Sequence, residues 1–102
     1  MASRLNLHEE LCEILGTKRA YFNPPASVKM EYPCIRYSLA GIDLKKANDK
    51  NYKSTNRYQL TVIDKNPDSN IHNELLAHFS MCSFERSYVA DNLNHFVLTL
   101  YY

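Results

Sequence analysis

The sequence has few of the residues that nucleotide-binding loops and secreted scaffolds depend on. It contains only two glycines and no tryptophan in 102 residues. Phosphate-binding loops need several glycines so that the backbone can approach the phosphates, so this scarcity argues against Walker and dinucleotide loops. The three cysteines are an odd number without close spacing. They do not suggest a disulfide framework, and we interpret them as small buried residues.

Long apolar runs and a large net charge are also missing. No stretch of about 18 apolar residues occurs, and the first ten residues lack the apolar segment of a signal peptide, so we expect no membrane partner. A formal net charge of +1 is too small to steer the whole chain toward nucleic acid or anionic lipid. The 45% hydrophobic and 23% charged residues are typical of a globular protein, and the length predicts a single domain over residues 1–102.

Two segments have the apolar spacing of amphipathic helices. The first is predicted over residues 6–16, where apolar side chains recur every three or four positions and Gly16 supplies the stop. The second is predicted from about residue 70 to 78 or 80, with Asp68 or Ser69 as its N-cap.

Four segments alternate apolar and polar residues, as half-buried strands do. They are residues 34–40, 55–63, 82–89 and 94–102, with a turn at 91–94 between the last two. Residues 23–33 hold three of the four prolines and are interpreted as a surface excursion.

One residue does not fit the third of these strands. Arg86 falls on the apolar side of the alternation, beside Phe84 and Tyr88. A β-bulge or an exposed sheet end would explain it.

The order helix, strand, strand, helix, strand, strand predicts an α+β fold. We expect a two-layer sandwich with about four mainly antiparallel strands in two hairpins and both helices on one face. Residues 41–54, between the first two strands, are predicted to form a long basic loop. The candidate lumen or partner-facing residues of this loop and its flank are Lys45, Lys46, Lys50, Tyr52, Lys53 and Arg57.

The basic segment supports two interpretations equally. Its lysines near Tyr52 suit contact with phosphates or with an acidic protein surface, which makes a small nucleic-acid-binding module one hypothesis. A solvated, mobile loop explains the same composition.

Two constellations resemble catalytic or metal sites only in part. His8 and Cys12 are four apart on the first helix, but a structural zinc site needs four ligands and no further pair is evident, so no metal is predicted. Asp91 and His95 with Ser83 or Ser87 suggest a hydrolase, but no nucleophile elbow surrounds them. The sequence therefore predicts no enzyme activity and no cofactor, and the hydrolase is kept as a control hypothesis.

The chain is rich in tyrosine, with eight residues. Tyrosine combines a large apolar ring with a polar tip and is enriched at protein interfaces. A domain of this size does not bury all eight, so tyrosines at strand edges and at residues 101–102 suggest docking surfaces.

Four stretches carry a resemblance that covers about residues 5–102. They are MEYPCIRY (30–37), TVIDKNPDS (61–69), YVADNLNH (88–95) and LYY (100–102). They resemble small tail-completion proteins, or tail terminators, from the head–tail joining module of long-tailed bacteriophages. The order of the predicted elements is also similar to that of phage tail terminators, in which helices pack on a sheet.

The resemblance implies a virion structural protein of the neck and tail, assembled in the cytoplasm of the bacterial host. Its subunits would form a hexameric ring that ends the tail tube and joins it to the head connector or stopper protein. Residues 41–54 would face the ring lumen, with transient contact to genome DNA left open, or the tube. Another head–tail adaptor is the alternative within this class. The candidate interface residues are Tyr88, Asp91, Asn92, Tyr101 and Tyr102.

Overall fold

The fold has two helices and five strands. The computed structural model describes residues 4–24, 31–47 and 51–102, and for 43–47 and 51–54 the backbone alone. The elements are α1 (Arg4–Leu15), β1 (Ala20–Phe22), β2 (Cys34–Ala47), β3 (Asn51–Asp64), α2 (Ile71–His78), β4 (Cys82–Ala90) and β5 (Leu93–Tyr101). Both helices pack against a mostly antiparallel, open sheet. The predicted α+β class with helices on the sheet is confirmed.

The sheet has the order β1-β2-β3-β5-β4. Only β1 and β2 run parallel, with Ala20 to Phe22 opposite Ile35 to Tyr37. The prediction of about four strands missed β1, because three residues are too few to show an alternation. The observed order is therefore α-β-β-β-α-β-β.

The predicted long loop over residues 41–54 is wrong for residues 41–47 and 51–54, and residues 48–50 lie outside the described residues. Residues 41–47 continue β2 and residues 51–54 belong to β3, and the register runs without a gap from Gly41↔Arg57 to Ala47↔Asn51. Strands of 14 residues span about 46 Å, which accounts for the longest dimension of the molecule, 50 Å. Residues 41–47 and 51–56 extend beyond the pairing of β1 and β5, and we call them the arm.

The core lies between the helices and one face of the sheet. Alternation and register place the central apolar residues of β2, β3 and β5 on this helix side. They pack against Leu7 and Leu11 of α1 and Leu75 of α2, all three fully buried. The sheet residues of this cluster are Ile35, Tyr37, Tyr58, Leu60, Val62, Leu98 and Leu100.

Strands β4 and β5 form a tight hairpin at the predicted turn. Asp91 and Asn92 both have positive φ, 54° and 62°, which is the backbone of a two-residue type I′ turn. The register shifts between Phe84 and Arg86, so Glu85 is the extra residue of a β-bulge. The bulge turns Arg86 to the outer face, opposite Val97, which confirms one explanation given for the misfit of Arg86.

The cap and stop residues predicted from the sequence match only some of the observed helix ends. Gly16 adopts φ 79° immediately after α1, as predicted for its stop. The described part of α1 begins at Arg4, earlier than predicted. For α2 the N-cap is Asn70 rather than Asp68 or Ser69, and its side chain makes no cap hydrogen bond to the helix. Its Oδ1 instead accepts a hydrogen bond of 3.0 Å from the side-chain Nδ2 of Asn73.

Candidate interaction surfaces

The arm carries an exposed apolar strip on its helix side. Leu39 lies at its base, 44% exposed, and Ile42 lies within it, 56% exposed. Their cross-strand partners are Tyr58 and Asn56, which share the helix side, and the bulge at Ala40 keeps both side chains on that face. Tyr58 is buried beneath the helices, so the covered core ends where the arm begins.

Arg57 lies at the base of the arm, on the outer face of the sheet. It pairs with Gly41 in β2 and with Tyr101 in β5. Its guanidinium covers Gly41, since a Cβ added there would be 2.5 Å from Arg57 Nη2. The Nε of Arg57 is buried and makes no hydrogen bond to any residue that the structure describes. Two residues predicted to belong to different surfaces, Arg57 and Tyr101, are therefore neighbours.

The other basic candidates are described less fully. Lys45 and Lys46 lie on the arm strand of β2, and Tyr52 and Lys53 lie on that of β3. Only their backbones are described, and Lys50 lies outside the described residues. Their predicted contact with a lumen or a partner stays a prediction.

Strand β4 is an exposed edge of the sheet. Its residues from 83 to 89 are all exposed, and among the described strands it pairs with β5 alone. Phe84 and Val89 are 45% and 69% exposed, and register places both on the helix side, opposite Leu98 and Asn94. An edge strand of this length with large apolar side chains is a template for pairing with another chain.

Tyr88 and the turn residues lie together at the far end of the β4–β5 hairpin. The Tyr88 ring stacks on His95 with centroids 4.6 Å apart and planes within 9°. The guanidinium of Arg86 lies 5.9 Å from the Tyr88 ring centre. Asp91 and Asn92 are exposed beside them. These three candidate interface residues form one surface.

Tyr102 belongs to a different part of the molecule and is half-buried within the chain. Its hydroxyl donates a hydrogen bond to the Glu10 carboxylate, and its ring packs edge-on against Phe79 at 6.0 Å. The same carboxylate lies 3.0 Å from His78 Nε2. The five candidate interface residues are therefore not one patch, because Tyr101 and Tyr102 lie at the opposite end of β5 from the turn.

The hydrogen bonds to Glu10 shift acid–base equilibria. The bond from the Tyr102 hydroxyl and that from His78 lower the pKa of the Glu10 carboxyl. The same Tyr102 bond, together with burial, raises the pKa of Tyr102 to about 12. The three groups link the end of β5 to both helices.

The residues considered for hydrolysis are not assembled. His95 Nδ1 is 3.1 Å from the carbonyl oxygen of Leu93, and its ring lies on the outer face against Tyr88. Ser87 pairs with Phe96 and lies on the helix side. Ser83 lies near the other end of β4, opposite Thr99.

The residues considered for zinc line a shallow cleft. The cleft has a volume of about 370 Å³ and includes His8, Cys12 and Lys18. His8 Nδ1 lies 2.7 Å from the Tyr37 hydroxyl. No group of three or more potential metal ligands occurs within residues 4–24, 31–47 and 51–102.

Sequence reasoning missed the free edges of the sheet. Residues 38–47 of β2 lie beyond β1, which pairs only with residues 35–37, and this edge has no second neighbour in the part of the chain that the structure describes. Residues 51–55 of β3 likewise extend beyond its pairing with β5, and β4 is free along its outer side. The β2 edge and β4 bound opposite sides of the sheet, so they face in opposite directions. The edge position of β4 is set by the sheet order, which no local pattern encodes.

No protein-family model matches the sequence, and no curated protein matches it. Within the described residues, neither helix is long and apolar enough to cross a bilayer.

Proposed function

We propose that this chain is a virion structural protein of a long-tailed bacteriophage, a tail terminator subunit that forms a ring at the end of the tail tube. The ring would be hexameric and would join the tube to the head connector or stopper protein. It would be assembled in the cytoplasm of the bacterial host, and the subunit would need neither a cofactor nor catalytic chemistry. The resemblance of residues 30–37, 61–69, 88–95 and 100–102 motivates this proposal.

One structural observation carries the proposal further. Two of the free edges of the sheet differ from each other and face opposite ways, β4 and residues 38–47 of β2. A closed ring built by rotation requires two different, complementary surfaces on every subunit. A subunit with a single self-complementary surface would form only a dimer. The two edges supply the kind of asymmetry that a ring needs.

The first experiment combines solution mass with tail binding. The mass of the chain would be measured by light scattering over a concentration series. The same sample would then be mixed with purified tail tubes of the encoding phage that lack this chain, and imaged by electron microscopy. We expect rings, or caps at one end of the tube. A chain that leaves both tube ends bare at every concentration would contradict the terminator function.

A specific feature also favours a second candidate, a nucleic-acid-binding module. The arm is a two-stranded ribbon with three lysines among its described positions, Lys45, Lys46 and Lys53. A two-stranded ribbon fits the major groove of DNA. This function predicts binding that weakens steeply with salt. Replacing Lys45 and Lys46 by glutamine would remove two phosphate contacts. The slope of log K against log salt would therefore become shallower by about 2. Binding with no salt dependence would exclude it.

A further inference from the structure

The arm and the β4 edge match each other in chain length and in surface character. The free edge of β2 runs over residues 38–47, and β4 runs over Cys82–Ala90. Each has exposed apolar side chains on the helix side, Leu39 and Ile42 on the first and Phe84 and Val89 on the second. If the two edges paired in a continuous sheet, these four side chains would form one apolar surface on that side.

Charge is complementary between the same two regions. The described arm strands contain three lysines and one aspartate, a net charge of +2. Strand β4 and helix α2, which packs beside it, contain Glu74, Glu85 and Arg86, a net charge of −1 with histidine neutral. Helix α2 lies on the helix side of β4, where its His72 ring is 6.0 Å from Phe84. A basic arm entering along β4 would therefore meet a region of small but opposite net charge.

We propose that the arm of one copy of this chain pairs with the β4 edge of a second copy, with the helix sides of the two sheets continuous. The pairing satisfies backbone groups that each edge otherwise leaves to water, and apolar contacts fix which face is which. Because the donor and acceptor surfaces differ, every added copy presents a fresh arm and a fresh edge. The contact assigns an occupant to the β2 edge and to β4, and it rests on the proposed function only in predicting that the series closes into a ring.

The test uses one variant for each surface. Ile42→Glu places a negative charge in the proposed apolar contact between the arm and the β4 edge. Val89→Lys places a positive charge on the edge where the basic arm is expected. We expect each variant to raise the dissociation constant for self-association roughly 10- to 100-fold, measured by sedimentation or light scattering. Leu5→Glu, a similar change at an exposed leucine of α1, is the matched control and should associate like the unmodified chain.

Mixing the two variants distinguishes this arrangement from a symmetric contact. The Val89→Lys chain retains an intact arm, and the Ile42→Glu chain retains an intact edge. An equimolar mixture should therefore form a one-to-one dimer through the single intact contact and grow no further. A symmetric arm-to-arm or edge-to-edge contact predicts instead that one of the two variants associates normally on its own.

A variant with a shortened arm tests whether association can be lost while the domain stays folded. Replacing residues 42–56 by Asn-Gly joins the paired residues Gly41 and Arg57 through a tight turn and removes Ile42 together with the arm lysines. Its circular dichroism should remain that of the folded domain while association is lost. The pairing is overturned by an unmodified chain that stays monomeric up to its solubility limit, by a shortened arm that still assembles, by a mixture without dimers, or by equal loss in Leu5→Glu. Tail-tube binding is scored separately, so rings that ignore tubes would refute the function and leave the pairing intact.

Discussion

The hydroxyl of Tyr102 donates a hydrogen bond to the carboxylate of Glu10, 92 positions earlier in the chain. This contact joins the residue after β5 to α1, while the Tyr102 ring lies against Phe79 after α2. A residue proposed as part of a docking surface therefore also holds the helix layer to the sheet. Its two roles have to be separated by experiment.

Tyr102→Phe removes the hydroxyl and keeps the ring. We expect the free energy of unfolding to fall by about 1 kcal/mol, because the bond to a partly exposed carboxylate is screened by solvent. Urea denaturation monitored by circular dichroism measures the change. Tyr101→Phe is the control, since the Tyr101 hydroxyl makes no hydrogen bond within the described part of the chain. Equal losses in the two variants would show that the Glu10 bond contributes nothing specific. Assembly defects of Tyr102→Ala should be interpreted only against this stability change.

The same hydrogen bond predicts a stability loss at alkaline pH. The pKa of Tyr102 is raised from 10.0 to about 12, so the folded state holds the phenolic proton more tightly than the unfolded state does. The contribution of the bond is complete below about pH 10 and disappears as pH rises through 12. Burial also raises the pKa of Tyr37, so absorbance titration of tyrosinate should show more than one tyrosine titrating late, and the late amplitude should fall by one group in Tyr102→Phe. An unchanged late titration in this variant would assign it to another tyrosine.

His72 predicts a stability loss in mild acid. Its ring stacks on Phe96 with centroids 4.3 Å apart. Its Nδ1 is buried and has no hydrogen-bond partner among residues 4–24, 31–47 and 51–102, and burial lowers its pKa below 6.5. The unfolded chain therefore binds a proton before the folded chain does. Stability is complete above pH 6.5 and falls as pH drops from 6.5 toward the lowered folded pKa.

The variant His72→Phe keeps an aromatic ring and removes the titrating group. Between pH 7 and 5 its thermal midpoint should change less with pH than that of the unmodified chain. His95→Phe provides the comparison, since His95 lies on the outer face. If the slope persists in His72→Phe, another group is responsible for it.

The turn between β4 and β5 predicts opposite effects for two substitutions at one position. Asn92 has φ 62° in the second central position of the type I′ turn, where glycine is favoured. Asn92→Gly should raise the free energy of unfolding by about 0.5 kcal/mol. Asn92→Val should lower it by about 1–2 kcal/mol, because a β-branched residue is strained at positive φ. Denaturation curves that shift in the same direction for both would contradict the turn assignment.

The sequence predicted the elements whose side chains alternate without interruption. The alternations in β3 and β5 are regular because each of these strands is buried on the helix side along much of its length. Helix α1 was also found, since Leu7 and Leu11 are spaced for one face and Gly16 stops it.

The arm was missed because a bulge breaks the alternation on which strand prediction depends. Leu39 and Ile42 are three positions apart and share a face only because Ala40 is an extra residue in β2. Read without the bulge, the pattern ends at Ala40, and the lysines that follow favour a loop. In β4 the single misfit of Arg86 pointed to a bulge, because the strand resumes after it.

The sequence predicted individual surface residues but not which of them lie together. Tyrosine enrichment pointed to Tyr88 and Tyr102, but composition does not reveal that one stacks on His95 and the other bonds to Glu10. Those partners are distant in sequence or set by strand register. The proximity of Arg57 to Tyr101 likewise follows from the pairing of β3 with β5.

The sheet order has a consequence for how the chain reaches its fold. Strand β5 pairs with β3 although α2 and β4 lie between them in sequence. The sheet therefore cannot form by adding each strand to the previous one in chain order. The hairpins β2–β3 and β4–β5 each form from near neighbours, whereas their junction along Leu60↔Leu98 closes a long loop and carries its entropic cost. We expect the pairing of β3 with β5 to form in the rate-limiting step of folding. Substitutions there should slow folding, while those in the β4–β5 turn should act through the earlier, local step.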